Sequence, residues 1–169
     1  RSLALLISTI CKHQVPFGQW NEVLTFVQQC TVQSEEQHRC LGFMLLQFMA
    51  ETIGTHLKGQ LEQLQKVFLG GLGDAQSVHV RVSALKAVVT MLDYLDSDAE
   101  LLVFRSLIVP MLGVVKQCVE AGDDQEAIEV FDTLGEVVQH PAPVITSAAP
   151  ALIEYLTKLV VDDTGSVEV

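Results

Sequence analysis

The segment VHVRVSALKAVVTML, residues 78–92, decides the fold class. Its apolar residues recur at intervals of three and four: Val78, Val82, Leu85, Val88, Val89 and Leu92. Because an α-helix turns once in 3.6 residues, this interval places them on one helical face. The same interval runs through residues 41–48, and strand-like alternation never lasts more than a few residues. The sequence therefore predicts an all-α protein.

Short breaks rich in Gly, Pro, Ser or Asp divide the chain into helices, since these residues end helices and form turns. The breaks lie at residues 16–18, 31–34, 70–73, 96–98, 121–124 and 140–143. They predict eight helices in four pairs: 2–13 with 19–30, 35–54 with 57–72, 77–95 with 98–119, and 123–139 with 143–161.

The first helices of the four pairs resemble one another. Three of them align on an arginine, and the fourth aligns more loosely: RSLALL (1–6), RCLGFM (39–44), RVSALK (81–86) and AIEVFD (127–132). These segments begin 38, 42 and 46 residues apart. A small residue follows each arginine by three places (Ala4, Gly42 and Ala84), and there we expect a neighbouring helix to approach closely.

The period of about 40 residues with two helices is typical of HEAT arrays, whereas TPR units are nearer 34 residues and armadillo units add a third helix. Pro110 and Pro150 lie 40 residues apart in the last two second helices, which supports this period. We therefore predict an α-α superhelix of HEAT type with approximate repeats at 1–33, 34–75, 76–121 and 122–161. The helical pattern is already present at residue 1, so we expect a piece of a longer solenoid, with first helices on its convex side and second helices on its concave side.

The charge of the chain restricts its partners. With 21 acidic and 10 basic residues, the net charge is -11. A nucleic-acid binder would present a basic face, so direct nucleic-acid binding is disfavoured. An acidic surface concentrates basic peptides, and a basic partner is favoured. The longest apolar runs fall far short of the roughly 20 residues of a membrane span, so we expect no membrane insertion.

No residue pattern in the chain indicates catalysis. Cys11, Cys30, Cys40 and Cys118 have irregular spacing without a CxxC pair, which favours reduced thiols in the core. A zinc site at Cys30, His38 and Cys40 is the alternative, but no fourth ligand is evident. The glycine-rich residues 70–73 lack the Lys-Ser or Lys-Thr of a phosphate loop. We expect no catalytic residue, no cofactor and no metal.

Several segments together resemble one family. WNEVLTF (20–26) resembles the Trp-x-x-Leu-Leu opening of second helices in importin-β type nuclear transport receptors, with Val23 in place of the first Leu. Four further segments resemble their later repeats in the same order: residues 39–46, 52–58 (TIGTHLK), 107–112 (LIVPML) and 127–146. The order looks closest to the importin-four branch and covers nearly the whole chain. Residues 74–81 also resemble the HEAT pattern of a turn Asp and a helix Val-Arg, which pair across repeats.

This resemblance implies a carrier and not an enzyme. Such receptors bind basic cargo, including histones and ribosomal proteins, in the cytoplasm. They contact Phe-Gly repeats of nucleoporins in the pore and release cargo in the nucleus to Ran bound to GTP. The alternative is a HEAT scaffold or a regulatory subunit of a complex that takes no part in transport.

Acidic residues are the candidates for cargo contact, since clustered carboxylates attract Lys and Arg. Three lie on predicted second helices, facing the concave side: Glu22, Glu62 and Glu154. Four more fall in the turn at residues 120–126: Glu120, Asp123, Asp124 and Glu126. The alternative at each position is an ordinary solvated charge.

Overall fold

The computed structural model describes residues 2–20, 22–122, 124–139, 149–150, 153–154 and 157–158, and all regular secondary structure in them is helical. The α-helices within these residues are α1 Ser2–Gln14, α2 Glu22–Thr31, α3 Glu36–Leu57, α4 Leu61–Leu72, α5 Val78–Leu92, α6 Asp98–Arg105, α7 Ile108–Glu120 and α8 Asp124–Gln139. Short 3-10 turns at Val15–Phe17 and Lys58–Gln60 precede α2 and α4. The predicted all-α class is confirmed. Most of the predicted helix 143–161 lies outside the described residues, and those described within it are helical.

The helices are arranged in two layers. In the first layer α1, α3, α5 and α8 pack side by side in chain order. In the second layer α2 packs against α3, α4 against α5, and α7 against α8. Each helix pair therefore covers its apolar face with the next pair, which is the arrangement of a helical-repeat solenoid.

Large apolar side chains link successive pairs through a continuous core. Phe43, Phe68 and Phe104 are fully buried on α3, α4 and α6. The rings of Phe68 and Phe104 meet edge to face, with centroids 5.9 Å apart and planes at 61°. An edge-to-face pair brings the positive ring edge to the negative ring face, so it adds to the burial energy. This contact joins α4 to α6 of the next helix pair.

The predicted close approach of helices at small residues is confirmed at Gly42. Ala4 and Ala84 are buried in the core. At Gly42 on α3, an added Cβ would lie 2.7 Å from Cγ2 and 2.9 Å from the backbone N of Thr31. The end of α2 can reach α3 at this position because Gly42 has no side chain.

The prediction of one straight helix over residues 98–119 is wrong. The structure has α6 and α7 instead, with a bend of 44° between them. Pro110 is the third residue of α7. A proline lacks the backbone N–H and its ring clashes with the carbonyl four residues earlier, so it is tolerated in a first turn but not within a helix. The chain therefore ends α6 at Arg105 and begins α7 at Ile108, with Pro110 in the first turn of α7.

Other predicted boundaries differ by up to four residues, most of all the start predicted at 57 and observed at Leu61 in α4. Within α3, Ile53 leaves helical geometry with φ -134° and ψ 23°, close to the predicted end at 54. The predicted start of the next helix at residue 19 is displaced to Glu22, because Gly18 and Trp20 both adopt left-handed conformations with φ of 71° and 58°. A residue with positive φ lies outside the right-handed helical region, so α2 begins only after Trp20.

No single helix in the described ranges is long and apolar enough to cross a membrane. In the part of the chain that the structure describes, α6 and α7 together have the length and composition of a span, but they form a pair bent by 44°. Their apolar residues include Leu101, Phe104 and Met111, which are buried in the protein core.

Candidate partner-binding surface

Two of the predicted acidic residues lie at equivalent places on second-layer helices. Glu22 is the first residue of α2 and Glu62 the second residue of α4, and both are exposed. A carboxylate in the first turn is stabilised by the unpaired N–H groups and dipole of the helix end. The two carboxylates are therefore held one repeat apart at the same end of the second layer.

The acidic turn at residues 120–126 divides into parts with different surroundings. Glu120 is exposed at the end of α7 and pairs with Lys116 at 3.6 Å. Asp123 lies outside the described residues, and Asp124 is the first residue of α8. Glu126 faces α5, where its Oε1 lies 2.9 Å from Nδ1 of His79 and its side chain is 18% exposed. Glu126 therefore joins two first-layer helices, and its side chain is much less exposed than that of Glu120.

Glu154 is exposed and helical, and its carboxylate pairs with Lys158 at 2.7 Å. The hydrogen bond from Lys158 lowers the pKa of Glu154. The pair spans one helical turn on the surface, and such exposed pairs contribute little to stability. A basic partner at Glu154 would have to compete with Lys158.

A buried ion pair connects two turns of the solenoid. Nε of Arg39 donates to Oδ2 of Asp74 at 2.7 Å, and the two side chains are 8% and 11% exposed. The Arg39 guanidinium also donates to the carbonyls of Gln33 and Ser34 at 3.0 and 2.7 Å. Arg39 thus fastens the turn before α3 to the turn before α5. The Asp of the resembling motif does pair with an Arg across repeats, but its carboxylate binds Arg39 and not Arg81.

The charge of Asp74 is stabilised by its surroundings. Burial would raise the pKa of Asp74, but the hydrogen bonds from Arg39 and from the backbone N–H groups of Gln76 and Ser77 outweigh it, and the pKa is lowered. The carbonyl of Asp74 also accepts a hydrogen bond from Arg81 at 2.6 Å. One aspartate therefore holds arginines from two successive first-layer helices.

A second set of ion pairs lies at the opposite edge of the solenoid. Its contacts between helices were not predicted from the sequence. Nζ of Lys58 contacts Asp96 at 2.7 Å and Glu100 at 3.4 Å. The pKa of Lys58 is raised, chiefly by its hydrogen bond to Asp96, and the pKa of Glu100 is lowered, chiefly by the backbone N–H groups of Asp96 and Ser97. Ser97 and Glu100 form a capping box at the start of α6. The Ser-x-x-Glu spacing was the available sequence signal.

None of the four cysteines, all within the described residues, forms a disulfide bond, and Cys11, Cys30 and Cys118 are buried. Burial raises the pKa of Cys11 to about 11 and also raises the pKa values of Cys30 and Cys40. A raised pKa keeps a thiol protonated, which makes it a poor nucleophile and metal ligand. No group of three or more His, Cys, Asp and Glu side chains within the described ranges could hold a metal ion.

Comparison with known families agrees with this architecture. The family model described as "IPO5-like, TPR repeats" matches residues 1–159. The chain belongs to this importin-5-like family. Its description names TPR repeats, whereas the last three first helices begin at residues 36, 78 and 124, intervals of 42 and 46 residues that are closer to the HEAT period. Both repeat types stack helix pairs into superhelices, so the predicted solenoid class holds under either term.

A curated relative extends the comparison. The "Probable importin-5 homolog" of Dictyostelium discoideum is 31% identical over 132 residues. The match covers 75% of this chain and 12% of the relative, so the chain spans a small part of that protein's length. The family description and the name of this relative both refer to importin-5, so the predicted importin family is confirmed, while its importin-four branch stays a prediction. Membership of an importin-like transport-receptor family also supports the prediction that the chain is not an enzyme.

Proposed function

We propose that this chain is part of a nuclear import receptor that binds basic protein cargo and carries it through the nuclear pore. The observation that carries the proposal is the importin-5-like family match over residues 1–159. The two-layer solenoid supports it, because stacked helix pairs present extended surfaces to partners. We further propose that the repeats follow the predicted units 1–33, 34–75, 76–121 and 122–161.

The proposed cargo is basic, with histones and ribosomal proteins as examples. The net charge of -11 favours such partners by raising their local concentration. Glu22 and Glu62 are exposed on the second layer, which is the predicted concave side. Neither of them forms an ion pair within the described residues. Their carboxylates are available to Lys and Arg side chains of cargo.

The proposal includes two further partners. Phe-Gly nucleoporins would contact shallow apolar clefts between first-layer helices, and Ran bound to GTP would release the cargo in the nucleus. The receptor would then shuttle between cytoplasm and nucleus. These partners follow from the resemblance to importin-β type receptors, and the importin-5-like family supports them at the level of the family.

Charge reversal at the acidic turn tests cargo binding. We expect the double variant Asp123→Lys/Asp124→Lys to bind a labelled histone-tail peptide about tenfold more weakly at low salt, because two attractive charges become repulsive. Fluorescence anisotropy measures the affinity. The control is Asp93→Lys/Asp98→Lys, which changes the net charge equally at exposed positions beside the α5–α6 turn. Equal weakening in both variants, or none in the first, would contradict a role for this turn.

A further inference from the structure

A groove of about 430 Å³ crosses the first layer of helices. Its lining residues come from α3, α5 and α8. The helix α5 lies between the other two in this layer and supplies Lys86 and Thr90, so α3 and α8 form the two walls. The groove therefore joins three successive helix pairs, on the layer that the predicted cargo contacts Glu22 and Glu62 do not share.

The two walls, α3 and α8, run in the same direction. Their alignment determines which of their residues face one another across the groove. Near their starts, α5 and α8 are joined by His79 and Glu126 at 2.9 Å, and further along Lys86 pairs with Glu129. At the ends of α3 and α5, the Tyr94 hydroxyl donates to the Glu51 carbonyl at 3.0 Å. The three helices are therefore parallel and aligned along their lengths.

The two walls differ in chemistry. The α3 wall presents the half-buried apolar side chains of Met44 and Phe48. The α8 wall presents the carboxylates of Glu129, Asp132 and Glu136. Glu129 is engaged by Lys86, whereas no ion pair in the described part of the chain involves Asp132 or Glu136, which are both exposed.

We propose that this groove binds an extended basic segment of a partner protein, of the form Lys-apolar-Lys. Asp132 and Glu136 are four residues apart on α8, or about 6 Å along the helix axis. Alternate side chains of an extended peptide are about 6.6 Å apart and point to the same side. Two lysines at alternate positions can therefore reach Asp132 and Glu136, while the apolar residue between them points to Phe48 and Met44 on the facing wall.

The charge of the groove decides between a basic and an uncharged occupant. Its lining has four carboxylates, with Glu51 completing the set, and one ammonium group from Lys86. An uncharged Phe-Gly segment would use the apolar wall and leave the acidic wall without a partner. A basic–apolar–basic segment uses both walls. The proposal goes beyond the proposed function, because it places a basic-segment site on the first-layer side of the solenoid.

The test measures the binding of a fluorescein-labelled peptide with a central Lys-Leu-Lys-Leu-Lys sequence to the full chain at low salt. We expect Asp132→Asn/Glu136→Gln to weaken binding about tenfold, because both charge partners of the peptide are removed. The control Asp93→Asn/Asp98→Asn makes the same change of charge at exposed positions beside the α5–α6 turn and should change the affinity by less than about twofold. A peptide with Gln for Lys should not bind. Circular dichroism checks that both variants remain helical.

Three results would overturn the groove proposal. The first is an unchanged affinity in Asp132→Asn/Glu136→Gln, and the second is an equal loss in the control. The third is a Phe-Gly peptide that binds more tightly than the basic peptide and ignores the charge variants. If histone-tail binding is lost in Glu22→Gln/Glu62→Gln while the groove variant is unaffected, the groove proposal fails and the proposed function stands.

Discussion

Arg39 and Asp74 form a buried ion pair that joins the turn before α3 to the turn before α5, with 2.7 Å between Nε and Oδ2. Asp74 also accepts from the backbone N–H groups of Gln76 and Ser77, each at 2.9 Å. A buried pair is stable only when its remaining donors and acceptors are also satisfied, and this pair meets much of that need locally. The geometry of two successive helix pairs therefore depends on one arginine and one aspartate.

Removal of Arg39 should unfold the chain more easily. We expect Arg39→Ala to lower the free energy of unfolding by about 3 kcal/mol, because Asp74 is left buried without its cation. The matched control is Arg105→Ala, since Arg105 is exposed and should cost less than about 0.5 kcal/mol. Urea denaturation followed by circular dichroism measures both. Similar midpoints for the two variants would show that the pair contributes little.

The lowered pKa of Asp74 makes stability depend on pH. The pKa of an aspartate in an unfolded chain is about 3.9, and the pKa of Asp74 in the folded protein is lower. The charged form is therefore stabilised by folding, so the contribution is complete above the unfolded pKa and is lost as pH falls through the folded pKa. We expect the stability difference between the wild type and Asp74→Asn to be constant above about pH 5 and to narrow below about pH 4. A difference independent of pH, measured by urea denaturation at each pH, would contradict this role.

Gly54 should not tolerate a side chain. An added Cβ would lie 2.5 Å from Cγ of Tyr94, whose hydroxyl donates to the Glu51 carbonyl and fixes the ring. We expect Gly54→Ala to destabilise the protein by about 2 kcal/mol through overpacking between α3 and α5. The control Gly113→Ala meets open space in α7 and should stabilise by about 0.5 kcal/mol through helix propensity. Thermal unfolding of both variants tests the contact, and equal melting temperatures would refute it.

The capping box at Ser97 should stabilise α6. The Ser97 hydroxyl accepts from the Glu100 backbone N–H at 3.2 Å, and the Glu100 carboxylate accepts from the Ser97 N–H at 3.1 Å. We expect Ser97→Ala to cost about 1 kcal/mol, because an N–H of the first turn loses its partner. Thr55→Ala, at an exposed position near the end of α3, should change stability by less than about 0.5 kcal/mol. A cost at Ser97 no larger than at Thr55 would contradict the cap.

The helical class and the order of the helices could be predicted because the apolar interval is local to each helix. The bend before Pro110 was not predicted, although a proline deep in a predicted helix is itself a signal of a break. The pairing of Asp74 was predicted only in kind. Its carboxylate binds Arg39, whereas Arg81 of the resembling motif binds its carbonyl.

The groove could not be predicted from the sequence. The two apolar residues of the groove lie on α3 and the two carboxylates on α8, two helix pairs later: Met44 and Phe48, and Asp132 and Glu136. Which of them face one another depends on how α3, α5 and α8 stack. The clustering of acidic residues in the sequence instead indicated the turn at residues 120–126. There Glu126 turned out to contact His79 on α5, a tertiary contact that charge clustering in the sequence does not reveal.

The most direct test of the proposed import function is the release of cargo by Ran. A labelled histone-tail peptide is bound to the full-length receptor that the proposal implies, and Ran loaded with GTP or with GDP is then titrated while anisotropy is followed. An import receptor should release the peptide to Ran-GTP and retain it with Ran-GDP. Release by neither form, or equally by both, would contradict the import function and leave a helical-repeat scaffold.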